Sequence, residues 1–307
     1  MSESPDLQAQ RAFQQQLVDA GLLVRSGVAG VYARNGVFES VVDGLERMIG
    51  NEGAWQQAEV LRFPPVFARK RYEQLDHLAN FPNLLGSVHG FEGHEAEHRA
   101  MLDDMMAHGD WSRHLSPSET MLAPAACYPL YPSAQGVLPE GGRIVDLESF
   151  VYRHEPSDDP ARMQAFRMRE FVRMGTAEQA RTHRDHWIGR IKSMLESLLL
   201  PVEAVVANDP FFGRGGKVMK ASQREQDLKY ELVVPICSEE RPTAVASCNC
   251  HLDHFGSRFD IRTADGDVAH TACVGFGLER ITLALLRIHG LSPAAWPPAV
   301  RKALGLG

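Results

Sequence analysis

The chain has 307 residues, 44% of them hydrophobic and 23% charged, with 32 Lys+Arg against 39 Asp+Glu and a net charge of −7. That leaves ample apolar material for a buried core, but no run of about 18 apolar residues to span a membrane and no basic arm for a phosphate backbone. The polar start MSESPDLQAQRAFQQQ carries no secretion signal. Five scattered cysteines, Cys127, Cys237, Cys248, Cys250 and Cys273, do not make a disulfide framework, so a cytoplasmic protein is expected.

Residues 38–49 place Phe38, Val41, Val42, Leu45, Met48 and Ile49 on one face of a helix. A strand over 58–67 is expected to stop at Pro64-Pro65, because proline cannot donate to a ladder. Strands are expected over 120–131 and 144–153, around the turn Glu140-Gly141-Gly142. The stretch 176–199 reads as a helix capped by Thr176, with Gln179 reciprocating and Ala180, His183, Trp187, Ile191, Met194 and Leu198 at turn spacing. Short strands follow over 202–207, 230–236 and 243–248, then an apolar helix over 278–289 behind a Gly-x-Gly turn. Many strands with few long helices predict an α+β fold with a largely antiparallel sheet, over residues 1–307 as a single domain.

Two constellations carry chemistry. In FVYRHEPSDDPARMQAFRMREF (150–171), Arg153 and Glu155 would share a strand face. Arg162, Phe166 and Glu170, four apart, would share another if the return segment is a strand. A guanidinium fork, an aromatic plate and carboxylates suit a nucleotide, although an exposed ion-paired hairpin has the same spacing. In ACVGFGLERITLALL (272–286), Gly275 and Gly277 allow close backbone approach, and Arg280 sits on the first helical turn. That suits a phosphate, or simply a tight turn into a core helix.

Together these patterns resemble class II aminoacyl-tRNA synthetases, over roughly residues 20–290. Tyr152-Arg153-His154-Glu155 with Arg162 and Phe166 looks like motif 2, and Gly275-x-Gly277-x-Glu279-Arg280 like motif 3. The helix 38–49 and the segment ending at Pro64-Pro65 resemble motif 1, which implies a homodimer. HLANFPNLL (77–85) has the cadence of the same core. The resemblance implies an antiparallel sheet flanked by helices, and ATP as a substrate. Arg153 would hold the α-phosphate, Arg162 and Arg280 the γ-phosphate side, Phe166 would stack on adenine, and Glu155 would accept from its amino group, with Met163 in the same set. Ala244-Val245-Ala246-Ser247 is similar to a Glu-Val-Ser-Ser strand of seryl enzymes. It departs at Ala244, where those enzymes have a glutamate that helps hold ATP and Mg2+.

The same resemblance, to atypical seryl enzymes, implies a Zn2+ site made by Cys127, Glu170 and Cys273, with Cys127 on a strand. Two thiolates and a carboxylate leave a fourth position for the substrate α-amino group, which makes Glu170 substrate-binding as well. Two rival patterns carry less. Cys248, Cys250, His251 and His254 are expected to be packing residues, and His94-Glu95-Ala96-Glu97-His98 matches H-E-x-x-H without the surrounding features of a protease.

Only 27 residues follow Arg280, so no anticodon-binding or tRNA-binding appendage is expected, and tRNA is a disfavoured acceptor. A truncated core of this kind resembles amino acid:[carrier protein] ligases. The implied reaction is adenylation of a small amino acid, glycine ahead of alanine, and transfer to the phosphopantetheine thiol of an acidic carrier protein. Arg214, Lys217, Lys220 and Arg224 are a candidate docking patch, or merely a solvated loop. The alternatives are a synthetase paralog with another acceptor, such as tRNA in trans or a protein lysine, and a catalytically silent regulatory core.

Overall fold

The computed structural model describes residues 4–207 and 228–307. Its centre is a seven-stranded sheet in the order Glu203–Val206, Lys229–Val234, Thr243–Leu252, His270–Gly277, Ala165–Gly175, Arg143–Tyr152 and Glu59–Leu61. Every neighbouring pair is antiparallel except the last, as the α+β pattern predicts.

One sheet face is buried by helices. Helix Ala177–Ser197 starts at Thr176, whose side chain accepts the Gln179 N–H while Gln179 accepts the Thr176 N–H, so both ends of the capping box form. Its Trp187 stacks on Phe171 at 4.9 Å and meets Phe276 edge-on at 5.8 Å. Helix Gly36–Gly53 is capped by Asn35 and buries Phe38, Val41, Val42, Leu45 and Ile49. It ends on Gly53, where a Cβ would lie 2.3 Å from the Phe171 ring, so only glycine permits this close packing. Helix Leu278–His289 matches its expected span and buries Leu278, Glu279, Ile281, Thr282 and Leu283 among others.

A charged network ties the helices to the sheet. The buried Glu279 carboxylate accepts from Arg167 N at 2.7 Å and Arg167 Nε at 2.9 Å, while Arg167 Nη1 reaches Glu39 at 2.6 Å. Arg34 joins at 2.7 Å from Glu39 and 3.6 Å from Glu279. Burial works to raise the Glu39 pKa, but hydrogen bonds from Arg167 and Arg34 hold it below its ordinary value.

Three expectations are corrected. The strand expected over 120–131 is Ser116–Leu122. Pro124 and Pro129 then break the ladder, the chain turns, and a short helix Leu130–Ser133 follows, so Cys127 lies on a turn rather than a strand. The expected 58–67 strand is two strands in different sheets, Glu59–Leu61 and Val66–Ala68, separated by the diproline. Strand Arg143–Tyr152 ends one residue before Arg153, which leaves Arg153 and Glu155 in the following loop.

Val66–Ala68, Ser116–Leu122 and Ser87–Gly90 make a separate three-stranded sheet. Helix Glu95–Met106 beside it has no buried residue. Its His94 is the N-cap, and Glu97 accepts the His94 N–H at 3.0 Å, so the H-E-x-x-H match is a capping device. No described helix is long and apolar enough to cross a membrane.

Candidate active site

Register assembles the site on the open face of the sheet. Glu170 pairs with Gly275, Gly275 with Ser247, and Ser247 with Glu231. In the next row, Cys273 pairs with Asn249 and Asn249 with Lys229. Directly opposed residues share a face, so one row across four strands, with a gap at Gly275, lies beside a second row of polar groups across three. Above them lies a cavity of about 250 Å³, whose lining includes Cys127, Arg153, Phe166, Glu170, Cys273 and Arg280. A second cavity of about 440 Å³ adjoins it, sharing Tyr128, Arg153, Lys229, Glu231, Ala244 and Arg280.

At one end of the first cavity, Cys273 Sγ donates to Glu170 Oε2 at 2.8 Å, and Glu170 Oε1 accepts from Ala126 N at 3.0 Å. The donor atoms of Cys127, Glu170 and Cys273 all lie within 4.8 Å of one another, and among the described residues no other His/Cys/Asp/Glu group could hold a metal. The buried Tyr131 hydroxyl lies against Cys127. Burial raises the Glu170 and Cys127 pKa values; for Cys273 the hydrogen bond its thiol gives to Cys127 raises it first and burial adds to this. Three acidic groups crowded out of water hold their protons unless a cation replaces them. Two thiols and a carboxyl with an open side suit tetrahedral zinc, at about 2.3 Å to sulfur and 2.0–2.2 Å to oxygen.

At the other end, the guanidinium carbons of Arg153 and Arg280 stand 5.6 and 5.7 Å from the centre of the Phe166 ring. Arg153 Nε is anchored on Pro124 O at 2.9 Å. Arg280 is anchored on Ala161 O at 2.9 Å and Ala244 O at 3.0 Å. Burial, with Arg153 and Arg162 nearby, pulls the Arg280 pKa down to about 10. Uncompensated positive charge facing a cavity suits an anion.

Ala244, Val245, Ala246 and Ser247 all line the first cavity. Glu155 and Arg162 line the second, paired at 3.2 Å. Met163 lines neither and is buried in the core. Cys248 is buried, while His251 meets Thr271 Oγ1 at 3.0 Å and His254 meets Asp76 at 3.6 Å. These four residues form no metal cluster among the described residues, and the expectation that they only pack holds in part, since Cys250 and His251 line the first cavity. Arg214, Lys217, Lys220 and Arg224 lie outside the described residues.

Sequence reasoning missed Lys229 and Glu231, paired at 3.0 Å, together with Asn249, Tyr128 and His77. Alternation in Lys229-Tyr230-Glu231-Leu232 was the available signal for the first two.

A family profile, the tRNA synthetase class II core domain (G, H, P, S and T), matches residues 143–289. Amino acid--[acyl-carrier-protein] ligase 1 of Bradyrhizobium diazoefficiens is 42% identical over 308 residues, which is 100% of this chain and 94% of the relative. Ligase 2 of the same organism is 46% identical over 292 residues, 94% of this chain and 87% of the relative. A type-2 serine--tRNA ligase of Methanopyrus kandleri is 28% identical over 59% of this chain and 37% of its own length. The solved M. kandleri seryl enzyme, in complex with A. aeolicus tRNASec, superposes with a TM-score of 0.81 at 22% identity, over 95% of this chain and 60% of that one. Prolyl-tRNA synthetase from Cryptosporidium parvum gives 0.66 at 14% identity, over 91% of this chain and 52% of that one. These two likenesses establish the fold, a class II aminoacyl-tRNA synthetase core, and the identity to the Bradyrhizobium enzymes establishes the family: the chain belongs to the amino acid--[acyl-carrier-protein] ligases.

Proposed function

We propose that this ligase activates a small amino acid, glycine ahead of alanine, as its adenylate and transfers it to the phosphopantetheine thiol of an acidic carrier protein. The observation that carries the reading is one cavity with a Cys127/Glu170/Cys273 trio at one end and Arg153, Phe166 and Arg280 at the other. The ligase names of the full-length relatives support the acceptor class. The modest cavity, walled by Tyr128, His251 and Phe255, supports a small side chain.

Phe166 stacks on adenine, and Arg153 neutralises the α-phosphate as the amino acid carboxylate attacks it and pyrophosphate leaves. Arg162 and Arg280 lie on the γ-phosphate side, and Glu155 accepts from the adenine amino group. Cys127, Glu170 and Cys273 would hold Zn2+, which when bound would supply a Lewis-acid position for the α-amino group. With Ala244 at the position expected to be acidic, Glu155 and Glu231, which line the second cavity, would be the carboxylates available to Mg2+. The thiol then attacks the mixed anhydride and AMP leaves. The motif 1 likeness, with Val60 exposed on the edge strand Glu59–Leu61, supports a homodimer, which sedimentation would test.

The test is pyrophosphate exchange into ATP with each of the twenty amino acids, with and without a zinc chelator. Exchange with glycine or alanine that is lost on chelation is expected, followed by labelling of a phosphopantetheine-bearing carrier protein. No exchange with any amino acid by the zinc-loaded protein overturns the reading in favour of a silent core. Exchange with transfer only to tRNA or lysine makes the chain a synthetase paralog.

A further inference from the structure

The loop 153–164 joins strands Arg143–Tyr152 and Ala165–Gly175 and carries Arg153, Glu155 and Arg162. It also supports Arg280, whose Nε donates to Ala161 O at 2.9 Å. One buried carboxylate ties this loop together. Asp159 is 6% exposed. Its Oδ1 accepts the Ala161 N–H at 2.9 Å, and its backbone carbonyl accepts the Arg162 N–H at 2.9 Å. The result is a tight turn with Pro160 as its second residue, where a fixed φ favours the bend. Asp159 Oδ2 accepts from Gln10 Nε2 at 3.2 Å and lies 3.9 Å from Arg162 Nε. Its own N–H donates to Ser157 Oγ at 3.0 Å.

Gln10 belongs to helix Pro5–Asp19, and the next residue, Arg11, donates to Asp158 at 2.8 Å. The N-terminal helix thus grips the loop at two successive residues. Gln10, Asp159, Arg162 and Arg280 all line the second cavity.

We propose that Asp159, held by Gln10, is a positioning residue of the nucleotide end, setting Arg162 and Arg280 for the outer phosphates of ATP. The proposal rests on the ligase reading, which puts these two arginines on the γ-phosphate side. The peptide between Ala161 and Arg162 is the link. Its N–H is held by Asp159 O, and its carbonyl, pointing the opposite way, receives Arg280. The Asp159 carboxylate closes the turn on which that peptide sits.

By charge alone Asp159 is unfavourable, because a carboxylate beside a bound triphosphate repels it. Its hydrogen bonds outweigh that repulsion, which gives two substitutions at one position different outcomes. The negative charge also eases the crowding of guanidiniums. Burial, then Arg153 and Arg162, pull the Arg280 pKa down, and Glu155 and Asp159 oppose them.

The test is calorimetric titration of the full chain with ATP and, separately, with AMP, which lacks the outer phosphates. Asp159→Ala is expected to bind ATP about tenfold more weakly, with AMP changed less than about twofold. Asp159→Asn keeps an acceptor oxygen for the Ala161 N–H and loses the charge, so it is expected to bind ATP at least as tightly as the parent. Gln10→Ala leaves the loop's own bonds intact and is expected to bind ATP about threefold more weakly with AMP unchanged. It tests the proposal even where Asp159→Ala fails to fold. Parent-like ATP affinity in Asp159→Ala or in Gln10→Ala overturns the role of Asp159. Equal weakening of ATP and AMP does so too, since a loop that merely collapses affects both. Asp159→Asn binding ATP as weakly as Asp159→Ala would also overturn it. A parent protein that binds neither nucleotide would instead overturn the ligase reading itself.

Discussion

Cys273 Sγ and Glu170 Oε2 lie 2.8 Å apart, across two antiparallel strands whose register sets Glu170 opposite Gly275. A thiol bonded to a carboxyl out of water marks a place where a cation displaces protons. Cys273→Ser and Glu170→Gln are therefore expected to bind zinc at least about 100-fold more weakly, and Tyr131→Phe about tenfold more weakly. Metal analysis after dialysis against graded chelator measures this. Parent-like zinc retention in both ligand variants would remove the site.

Two guanidiniums converge on one ring, so the nucleotide end has separable parts. Arg153→Ala should lower the kcat of amino-acid-dependent pyrophosphate exchange about 10²–10³-fold. Arg153→Lys should recover little of it, because an ammonium lacks the planar fork. Phe166→Leu should instead raise the ATP KM about tenfold, the worth of one aromatic stacking contact. Steady-state exchange kinetics distinguish the two patterns.

A Cβ on Gly275 would stand 3.7 Å from Glu170 Cγ and 3.8 Å from Ser247 Oγ, ordinary contact distances. Gly275→Ala should therefore leave the melting temperature within a few degrees of the parent while filling cavity space. Preference for glycine over alanine, as a ratio of kcat/KM, should rise about tenfold, the lower end of what one methyl group is worth in a pocket. An unchanged ratio would mean the amino acid side chain lies elsewhere.

Neutralising the buried Glu279 takes from Arg167 one of its two carboxylate partners and leaves Glu39 in place. Glu279→Gln is expected to cost about 1–3 kcal/mol, seen as a lower urea midpoint. Part of the activity should go with it, since Arg280 is the next residue on the same helical turn.

Burial pulls His183 down to about 4 from an ordinary 6.5, even though Phe171 O lies 3.2 Å from its Nε2. Between those two values the unfolded chain holds a proton that the folded chain does not. Stability is therefore complete above about pH 6.5 and falls as pH drops towards 4. His77, also at about 4, adds to the same loss. His183→Gln should flatten the decline by roughly 3 kcal/mol at most, measured by denaturant unfolding at graded pH.

What could be read from the sequence was local. Thr176 with Gln179, and the apolar spacing after Gly277, fixed two helices to within a residue or two, because caps and periodicity act over a few residues. The likeness of Arg153, Phe166, Gly275 and Arg280 to family motifs picked out residues that the fold gathers round one cavity. The strand expected through Cys127 failed because hydrophobicity outweighed two prolines in the reading. His77 was not legible as a lining residue, since its place depends on Phe81 and Tyr128 closing round it and on a cavity built from other segments. Lys229 and Glu231 alternate along their strand, but their place beside the cavity follows from their pairing with Asn249 and Ser247.

The donor trio also constrains the order of events during synthesis. Glu170 and Cys273 are 103 residues apart, and Cys127 comes from a turn upstream of both. A growing chain on the ribosome carries no complete donor set until strand His270–Gly277 has emerged and inserted between its two neighbours. A polypeptide interrupted before that point can carry Arg153, Glu155 and Phe166 but lacks the third member of the trio. Should the trio hold zinc as proposed, metal retention would report a finished sheet in the newly made enzyme.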